Sequence, residues 1–255
     1  MDVSITTRKL TRWQASGLHL SISIAIAAAA LAVMLLVWYP RPLFEASGGT
    51  GLLYILVGVD VVIGPLITLV VFKAGKRGMR FDLVVIGLLQ LSALLYGSYI
   101  MFEARPVYIA LVKGQFEVAS AVEVSADQLA QARRPEFRKL PLGGPKLVYV
   151  ELNEQERSEA VQSVFAGGPD IHLRPMYYVP YAERSKEALA QTHPLEHARR
   201  TWPEAVPLID GYLAESGRKE ADTVYLPGRA PFGWIIALVD AKTGAVLKFL
   251  FVSQA

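Results

Sequence analysis

One carboxylate, Asp60, lies inside an otherwise uncharged apolar run from Gly51 to Phe72. An ionisable side chain at the centre of a bilayer costs at least about 2.5 to 3.5 kcal/mol on insertion scales, so it normally faces protein or a water-filled cavity. Residues of this kind bind partner helices, conduct protons or join helices through hydrogen bonds. Asp60 is therefore the first candidate for a functional residue.

Small and polar residues accompany Asp60 at helical spacing. Gly64 and Thr68 follow it at i+4 and i+8, which places them on one face of a helix. Gln90 lies at a similar depth on a later apolar run, and its amide can donate a hydrogen bond to Asp60. Pro65 deprives the carbonyl four residues earlier of its helical partner, which favours a kink. We call Asp60, Gly64, Pro65, Thr68 and Gln90 the membrane stripe.

The membrane stripe has two interpretations. In the first, it binds the transmembrane helix of a partner protein. In the second, a neutral Asp60 joins the helices of this chain to one another by hydrogen bonding. Proton transport is less favoured than either, because a pathway needs several ionisable groups in series and Asp60 is a single one.

A second group of polar residues lies near the HPLEH segment. His193 and His197 have i, i+4 spacing, and with Glu196 or His172 they could suggest a metal site. Prolines make the segment from 192 to 203 loop-like, however, and spacing fixes no third ligand. The chain has no cysteine and no visible Ser-His-Asp arrangement or phosphate-binding loop. We therefore predict no catalytic residue, no metal, no cofactor and no enzymatic activity.

Three tyrosines lie close together in the segment RPMYYVPY. They are Tyr177, Tyr178 and Tyr181. The first interpretation is a loop laid over the core of a domain. The second is a partner-binding surface, because tyrosine is favoured at protein interfaces.

The membrane stripe belongs to the second and third of three apolar runs. Each run has about the 20 residues needed to cross a bilayer core of about 30 Å. The runs are 18–38, 51–72 and 83–102. We therefore predict a transmembrane domain of residues 1–102 with three helices. The first run ends in Trp38 and Tyr39 without a polar cleavage region, so we expect a retained anchor rather than a cleaved signal peptide.

Lysine and arginine are concentrated on one side of these runs. On that side lie Arg8, Lys9, Arg12, Lys73, Lys76, Arg77 and Arg80, whereas Arg41 and Arg105 lie on the other. Because basic loops remain in the cytoplasm, the N-terminus is predicted to be cytoplasmic and residues 103–255 periplasmic, in a bacterial inner membrane. The helix flanks explain most of the net charge of +3, so the charge predicts contact with the lipid bilayer and no nucleic-acid partner.

Residues 103–255 have the composition of one globular domain. Strand patterns at 107–113, 115–124, 146–151, 232–240 and 245–253 alternate with helical patterns at 125–134, 154–165, 184–191 and 203–216. Asp240 can cap the last turn, and Gly244 can supply its positive φ. Because no regular βαβ repeat is visible, we predict an α+β domain with an antiparallel sheet.

The membrane segments resemble a known family. The sequences VWYPRPLFEASGG, GVDVVIGPLITLVVFKAGK and FDLVVIGLLQLSALLYGSYIMFEARPVYI occur in order between Val37 and Ile109. This combination is similar to the TfpX/TfpZ family of type IV pilin accessory proteins, which are inner-membrane proteins of Gram-negative bacteria. Residues 103–255 resemble that family mainly in size and placement.

The resemblance implies a role in pilin stability, pilus assembly or surface piliation, without a known reaction. A pilin awaiting assembly is one membrane helix with a periplasmic head, so the expected partner is the major type IV pilin. The membrane stripe would bind its helix and residues 103–255 its head, with the pilus assembly platform as a further candidate partner. The alternative is a membrane-anchored periplasmic sensor or ligand-binding protein, which is less favoured because the cytosolic segments are short.

Overall fold

The computed structural model describes residues 11–73 and 76–253. Its first part is helical. The helices are α1 (Arg12–Val33), α2 (Leu43–Ala46), α3 (Gly49–Val57), α4 (Gly64–Val71) and α5 (Met79–Glu103). One π-helical turn, Met34–Trp38, extends α1, and another, Gly58–Ile63, joins α3 to α4.

Two of these helices are long and apolar enough to cross a membrane. They are Arg12–Trp38 and Met79–Glu103, and the apolar helix Gly58–Val71 is shorter. Thr11 starts the first through a capping box, in which its hydroxyl accepts from the Gln14 amide and its own amide donates to the Gln14 side chain. The predicted second run is helical from Gly49 to Val71, although a π-helical turn interrupts the α-helical pattern.

The chain divides into two compact units, each with its own contacts. The helical unit consists of the described parts of 1–34 and 50–101, and the α/β unit consists of 35–49 with the described part of 102–255. Most of the segment 39–50, which lies between the first and second apolar runs, belongs to the α/β unit. Leu43, Phe44 and Ala46 of α2 are buried, so this segment contributes core side chains.

The described residues of the α/β unit form one sheet of eight strands. The strands are β1 (Pro106–Val112), β2 (Gln115–Ser120), β3 (Lys146–Val150), β4 (Tyr178–Pro180), β5 (His193–Pro194), β6 (Thr223–Ala230), β7 (Gly233–Asp240) and β8 (Val246–Ser253). Their order is β4-β3-β1-β2-β6-β7-β8, and β5 pairs with β6. The helices of this unit are α6 (Ala126–Ala130), α7 (Glu154–Phe165), α8 (Ser185–Leu189), α9 (Leu195–Thr201) and α10 (Val206–Ser216).

The prediction of an antiparallel sheet is wrong, because the sheet is mixed. Strand β1 runs parallel to β3, and β2 runs parallel to β6. Parallel neighbours need a crossover connection. The stretch containing β2 and α6 joins β1 to β3, and a longer stretch containing β3 to β5 and the five helices α6 to α10 joins β2 to β6. Strand patterns alone do not indicate which edges pair, and the pairing makes this an α/β domain.

Local signals located several elements correctly. Asn153 caps α7 and Asp240 caps the turn between β7 and β8, where Gly244 has a φ of +72°. The prediction of an irregular segment at 192–203 is wrong, since β5 and α9 lie there. Pro194 precedes the first residue of α9, a position that needs no helical N–H, so this proline begins a helix instead of preventing one.

Candidate functional site

The membrane stripe is organised around the π-helical turn Gly58–Ile63. Its residue Asp60 is buried, and the Gln90 side-chain amide donates a 3.1 Å hydrogen bond to the Asp60 backbone carbonyl. In a π-helix this carbonyl would bond to the amide of residue 65, because the bonding interval is five residues. Pro65 has no N–H. The Gln90 side chain therefore replaces the backbone donor that proline lacks.

The sequence predicted a different unpartnered carbonyl, that of Val61. That expectation assumed the four-residue interval of an α-helix. The π-helical turn lengthens the interval by one residue and transfers the vacancy to Asp60. Gln90 was expected to donate to Asp60, and it does so at the backbone oxygen and not at the carboxylate.

Gly64 allows the close approach of Gln90. A Cβ atom built on Gly64 would collide with the Gln90 amide group. In membranes, small residues at helix contacts let neighbouring helices approach and form polar contacts. The observed hydrogen bond between Gln90 and Asp60 thus requires glycine at position 64, because any larger residue would displace the Gln90 side chain.

Helix α1 supplies three polar residues that the sequence analysis did not include. Ser16 Oγ donates to the Pro65 carbonyl at 2.9 Å, and His19 Nδ1 and Thr68 Oγ1 share a 2.6 Å hydrogen bond. Ser23 is buried on the same helix. The spacing of these residues, i, i+3 and i+7, is the signal that could have found them. The polar interior of the helical unit therefore includes α1 as well as the membrane stripe.

The membrane stripe is largely buried and contains two hydrogen-bond acceptors without donors among the described residues. Asp60, Gly64, Pro65 and Thr68 are buried, and Gln90 is partly buried. Asp60 Oδ1 and Gln90 Oε1 are buried without a hydrogen-bond partner among the described residues. Two acceptors of this kind can receive donors from a water molecule or an incoming polar group. Four of the five residues of the membrane stripe are thus buried within this chain, and both interpretations of the stripe stay predictions.

The three tyrosines lie in the core of the α/β unit. Tyr177, Tyr178 and Tyr181 are 5%, 1% and 3% exposed, respectively. The Tyr181 hydroxyl donates to the Gly244 carbonyl at 2.7 Å, and the Tyr178 hydroxyl donates to the His172 carbonyl. Their burial corresponds to the interpretation of a segment packed on the core, and no exposed aromatic surface is available at these positions.

The histidines of HPLEH contact an aromatic residue. His197 hydrogen-bonds to the Tyr225 hydroxyl, and the His193 and His197 ring centroids are 5.4 Å apart. Within the described ranges, no group of three or more His, Asp or Glu side chains is arranged to hold a metal ion.

An open groove in the α/β unit is lined in part by charged side chains that the sequence did not predict. Its volume is about 730 Å³, and Glu117, Asp170, His172 and Arg229 lie along it. Burial raises the pKa of Glu117 to about 6; Arg229 partly opposes this effect and Asp170 adds to it. The sequence gives little indication of this groove, because Glu117 and Arg229 become neighbours only through the parallel pairing of β2 with β6.

Comparison with known proteins identifies the family. A family model described as fimbrial assembly protein FimB matches residues 7–48. A fimbrial assembly protein of serogroup I from Dichelobacter nodosus is 34% identical over 211 residues, which cover 81% of this chain and 76% of the relative. The chain belongs to the fimbrial assembly protein family. A second fimbrial assembly protein, of serogroup E1 from the same organism, is 34% identical over 184 residues and covers 71% of each chain.

The family membership confirms the broader prediction of a pilus assembly protein. A third fimbrial assembly protein, of serogroups C1 and C2, is 34% identical over 119 residues, which are 46% of this chain and 91% of that relative. The narrower assignment to TfpX/TfpZ stays a prediction. No solved structure matches the chain significantly.

Proposed function

We propose that this fimbrial assembly protein is a non-catalytic accessory factor for type IV pilin in the bacterial inner membrane. It binds the major pilin in the membrane and in the periplasm, and thereby supports pilin stability, pilus assembly or surface piliation. The observation that carries the proposal is the identity of 34% to a fimbrial assembly protein over 81% of this chain. The long apolar helices and the separate α/β unit suit a partner that has both a membrane helix and a head.

The proposed topology has three membrane crossings. The helices from Gly49 to Val71 follow one another without a break and would together span about 30 Å, which is sufficient for a bilayer core. With Arg12 before the first crossing and Lys73, Arg77 and Arg80 before the third, the N-terminus would be cytoplasmic and the sheet periplasmic.

In the membrane, we propose that pilin contacts the membrane stripe. The stripe is largely buried among this chain's own helices, so a pilin helix must enter between them to reach it. The support for a polar contact there is the pair of acceptors, Asp60 Oδ1 and Gln90 Oε1, that lack donors within the described part of the chain. A hydrogen-bond donor on the pilin helix would complete them.

Deletion of the gene, followed by separate measurement of total pilin and surface pili, tests the proposed function. Loss of both indicates stabilisation of pilin, and loss of surface pili alone indicates assembly. Photo-crosslinking from the α/β unit in intact cells then tests direct binding to pilin. The proposal fails if deletion leaves both quantities unchanged, or if crosslinks form with other proteins and never with pilin.

A further inference from the structure

Three exposed apolar side chains lie in the loops at one end of the sheet in the α/β unit, in addition to exposed Phe165 on α7 and Leu208 on α10. Val122, Leu142 and Phe232 are 66%, 73% and 58% exposed. Exposed apolar side chains that share one surface mark contact with a partner or a membrane. Each of the three is held by a contact between its loop and a segment that directly follows an apolar helix.

Val122 and Leu142 are held near Arg105, which follows the last residue of α5 by two positions. The amide of Ala121, next to Val122, donates to the Arg105 carbonyl at 2.9 Å. The buried Arg105 guanidinium donates to the carbonyl of Pro141, next to Leu142, at 3.1 Å, and also to the Phe102 carbonyl at the end of α5.

Phe232 is held by the segment that follows the first apolar helix. Its amide donates to the carbonyl of Ala46 in α2 at 3.1 Å. Its ring covers Gly48, where an added methyl group would collide with it. The turn between β6 and β7 therefore rests on the segment 39–49.

Strand register places the three loops at the same end of the sheet. Pro106 pairs with Ser120, Tyr108 with Lys146, and Ala230 with Gly233. Val122 follows the end of β2, Leu142 precedes the start of β3, and Phe232 precedes the start of β7. The opposite end of the sheet carries polar turns, including those with the exposed residues Lys113 and Lys242.

The ends of the two long apolar helices indicate that a membrane surface covers Val122, Leu142 and Phe232. Trp38 and Phe102, near the ends of the two long apolar helices, have ring centroids 5.1 Å apart. Tryptophan at a helix end marks the boundary between lipid and water. The exposed basic residues Arg138 and Lys139 precede Leu142, which suits anionic lipid headgroups.

We propose that Val122, Leu142 and Phe232 form an apolar rim that inserts into the periplasmic interface of the lipid bilayer. The rim rests on the membrane topology of the proposed function. It would hold the sheet against the membrane surface, with the turns that contain Lys113 and Lys242 directed away from it.

The absence of cysteine in the chain allows a direct test. Single variants Val122→Cys, Leu142→Cys and Phe232→Cys of the full protein carry a nitroxide label, and the protein is reconstituted into vesicles of phosphatidylethanolamine and phosphatidylglycerol. Oxygen concentrates in the bilayer, whereas a neutral nickel chelate stays in water. We expect the ratio of oxygen to nickel accessibility to be several-fold higher at the rim than at the control Lys242→Cys.

A fourth variant, Leu88→Cys on the exposed face of α5, separates the possible failures. If its label is lipid-accessible while the rim labels match Lys242→Cys, the rim is wrong and the membrane topology stands. If the Leu88 label is itself aqueous, the proposed topology fails and the rim fails with it. Should Phe232→Cys unfold the α/β unit because its ring covers Gly48, Val122→Cys and Leu142→Cys decide the outcome.

Discussion

The Gln90 side-chain nitrogen lies 3.1 Å from the Asp60 backbone oxygen, the carbonyl that Pro65 leaves without a donor in the π-helical turn. Substitution Gln90→Leu is expected to destabilise the protein by about 1 kcal/mol, the size of a hydrogen bond between membrane helices. The measurement is thermal unfolding in detergent. Ser92→Ala is the control, because Ser92 bonds within α5 to the Leu88 carbonyl.

The replacement of a missing donor can be tested by a double-mutant cycle. In a Pro65→Ala protein, the amide of residue 65 can donate to the Asp60 carbonyl, so Gln90→Leu should cost less than it does with proline present. Additive effects of the two substitutions would contradict the proposed link between proline and glutamine.

Gly64 sets the distance between its helix and Gln90. Gly64→Ala should destabilise the protein by about 1 to 3 kcal/mol, the usual cost of overpacking, because the added methyl group collides with the Gln90 amide. Gly87→Ala on α5 is the matched control, since nothing lies within 4 Å of a Cβ atom there. Equal stability of the two variants in the same unfolding assay would show that the helices do not approach at Gly64.

Asp60 tests the membrane half of the proposed function. Asp60→Leu removes both acceptor oxygens and should lower pilin crosslinking and surface pili, whereas Asp60→Asn keeps one acceptor and should have a smaller effect. Val70→Leu, at a position that is 83% exposed on α4, is the control. If both Asp60 variants accumulate normally and leave pilin crosslinking, pilin amount and twitching unchanged, pilin does not use this stripe.

Tyr181 joins the segment before α8 to the hairpin of β7 and β8. Tyr181→Phe retains the ring and leaves the Gly244 carbonyl without its donor, so we expect a loss of about 1 to 3 kcal/mol in the free energy of unfolding. Pilin binding by the folded variant should be unchanged, because the side chain is buried. Lost pilin binding with an unchanged melting temperature would instead support the partner-binding interpretation of the tyrosines.

Glu117 should make stability depend on pH. Burial raises its pKa to about 6 in the folded protein, above the ordinary value of 4.5, with Arg229 opposing the shift and Asp170 reinforcing it. Because the folded pKa is the higher one, the contribution of this carboxyl is fully present below about pH 4.5 and is lost as pH rises through 6. Glu117→Gln should therefore stabilise the protein by about 1 kcal/mol at pH 7.5 and have little effect near pH 4.

A thermal unfolding series across that pH range provides the measurement. Glu215→Gln, at an exposed position on α10, is the control. A stabilisation by Glu117→Gln that is the same at both pH values would show that the effect does not come from ionisation.

Sequence predicted the features whose causes are local. The helix at 154–165 and the Asp240 turn each depend on neighbouring residues, and each was located correctly. Asp60 stood out because a charge in an apolar run is costly.

Other features depend on contacts between distant residues. Strand β6 was not predicted, because Pro227 and Gly228 interrupt its strand pattern. Glycine is present at 228 because the Phe116 side chain lies close to it: a Cβ atom there would be only 3.0 Å away. The parallel pairs, the burial of Tyr178 and the π-helical turn likewise follow from tertiary packing, which spacing along the chain does not encode.

Leu43 and Ala46 of α2 belong to the same core cluster as Ile235 and Ala237 of β7. The ribosome makes the first pair long before the second, with α5 and six strands in between. During synthesis, Leu43 and Ala46 therefore lack their packing partners in β7 until that strand has been made. A fragment that starts after α5 would lack Leu43 and Ala46, and with them part of the core that β7 completes.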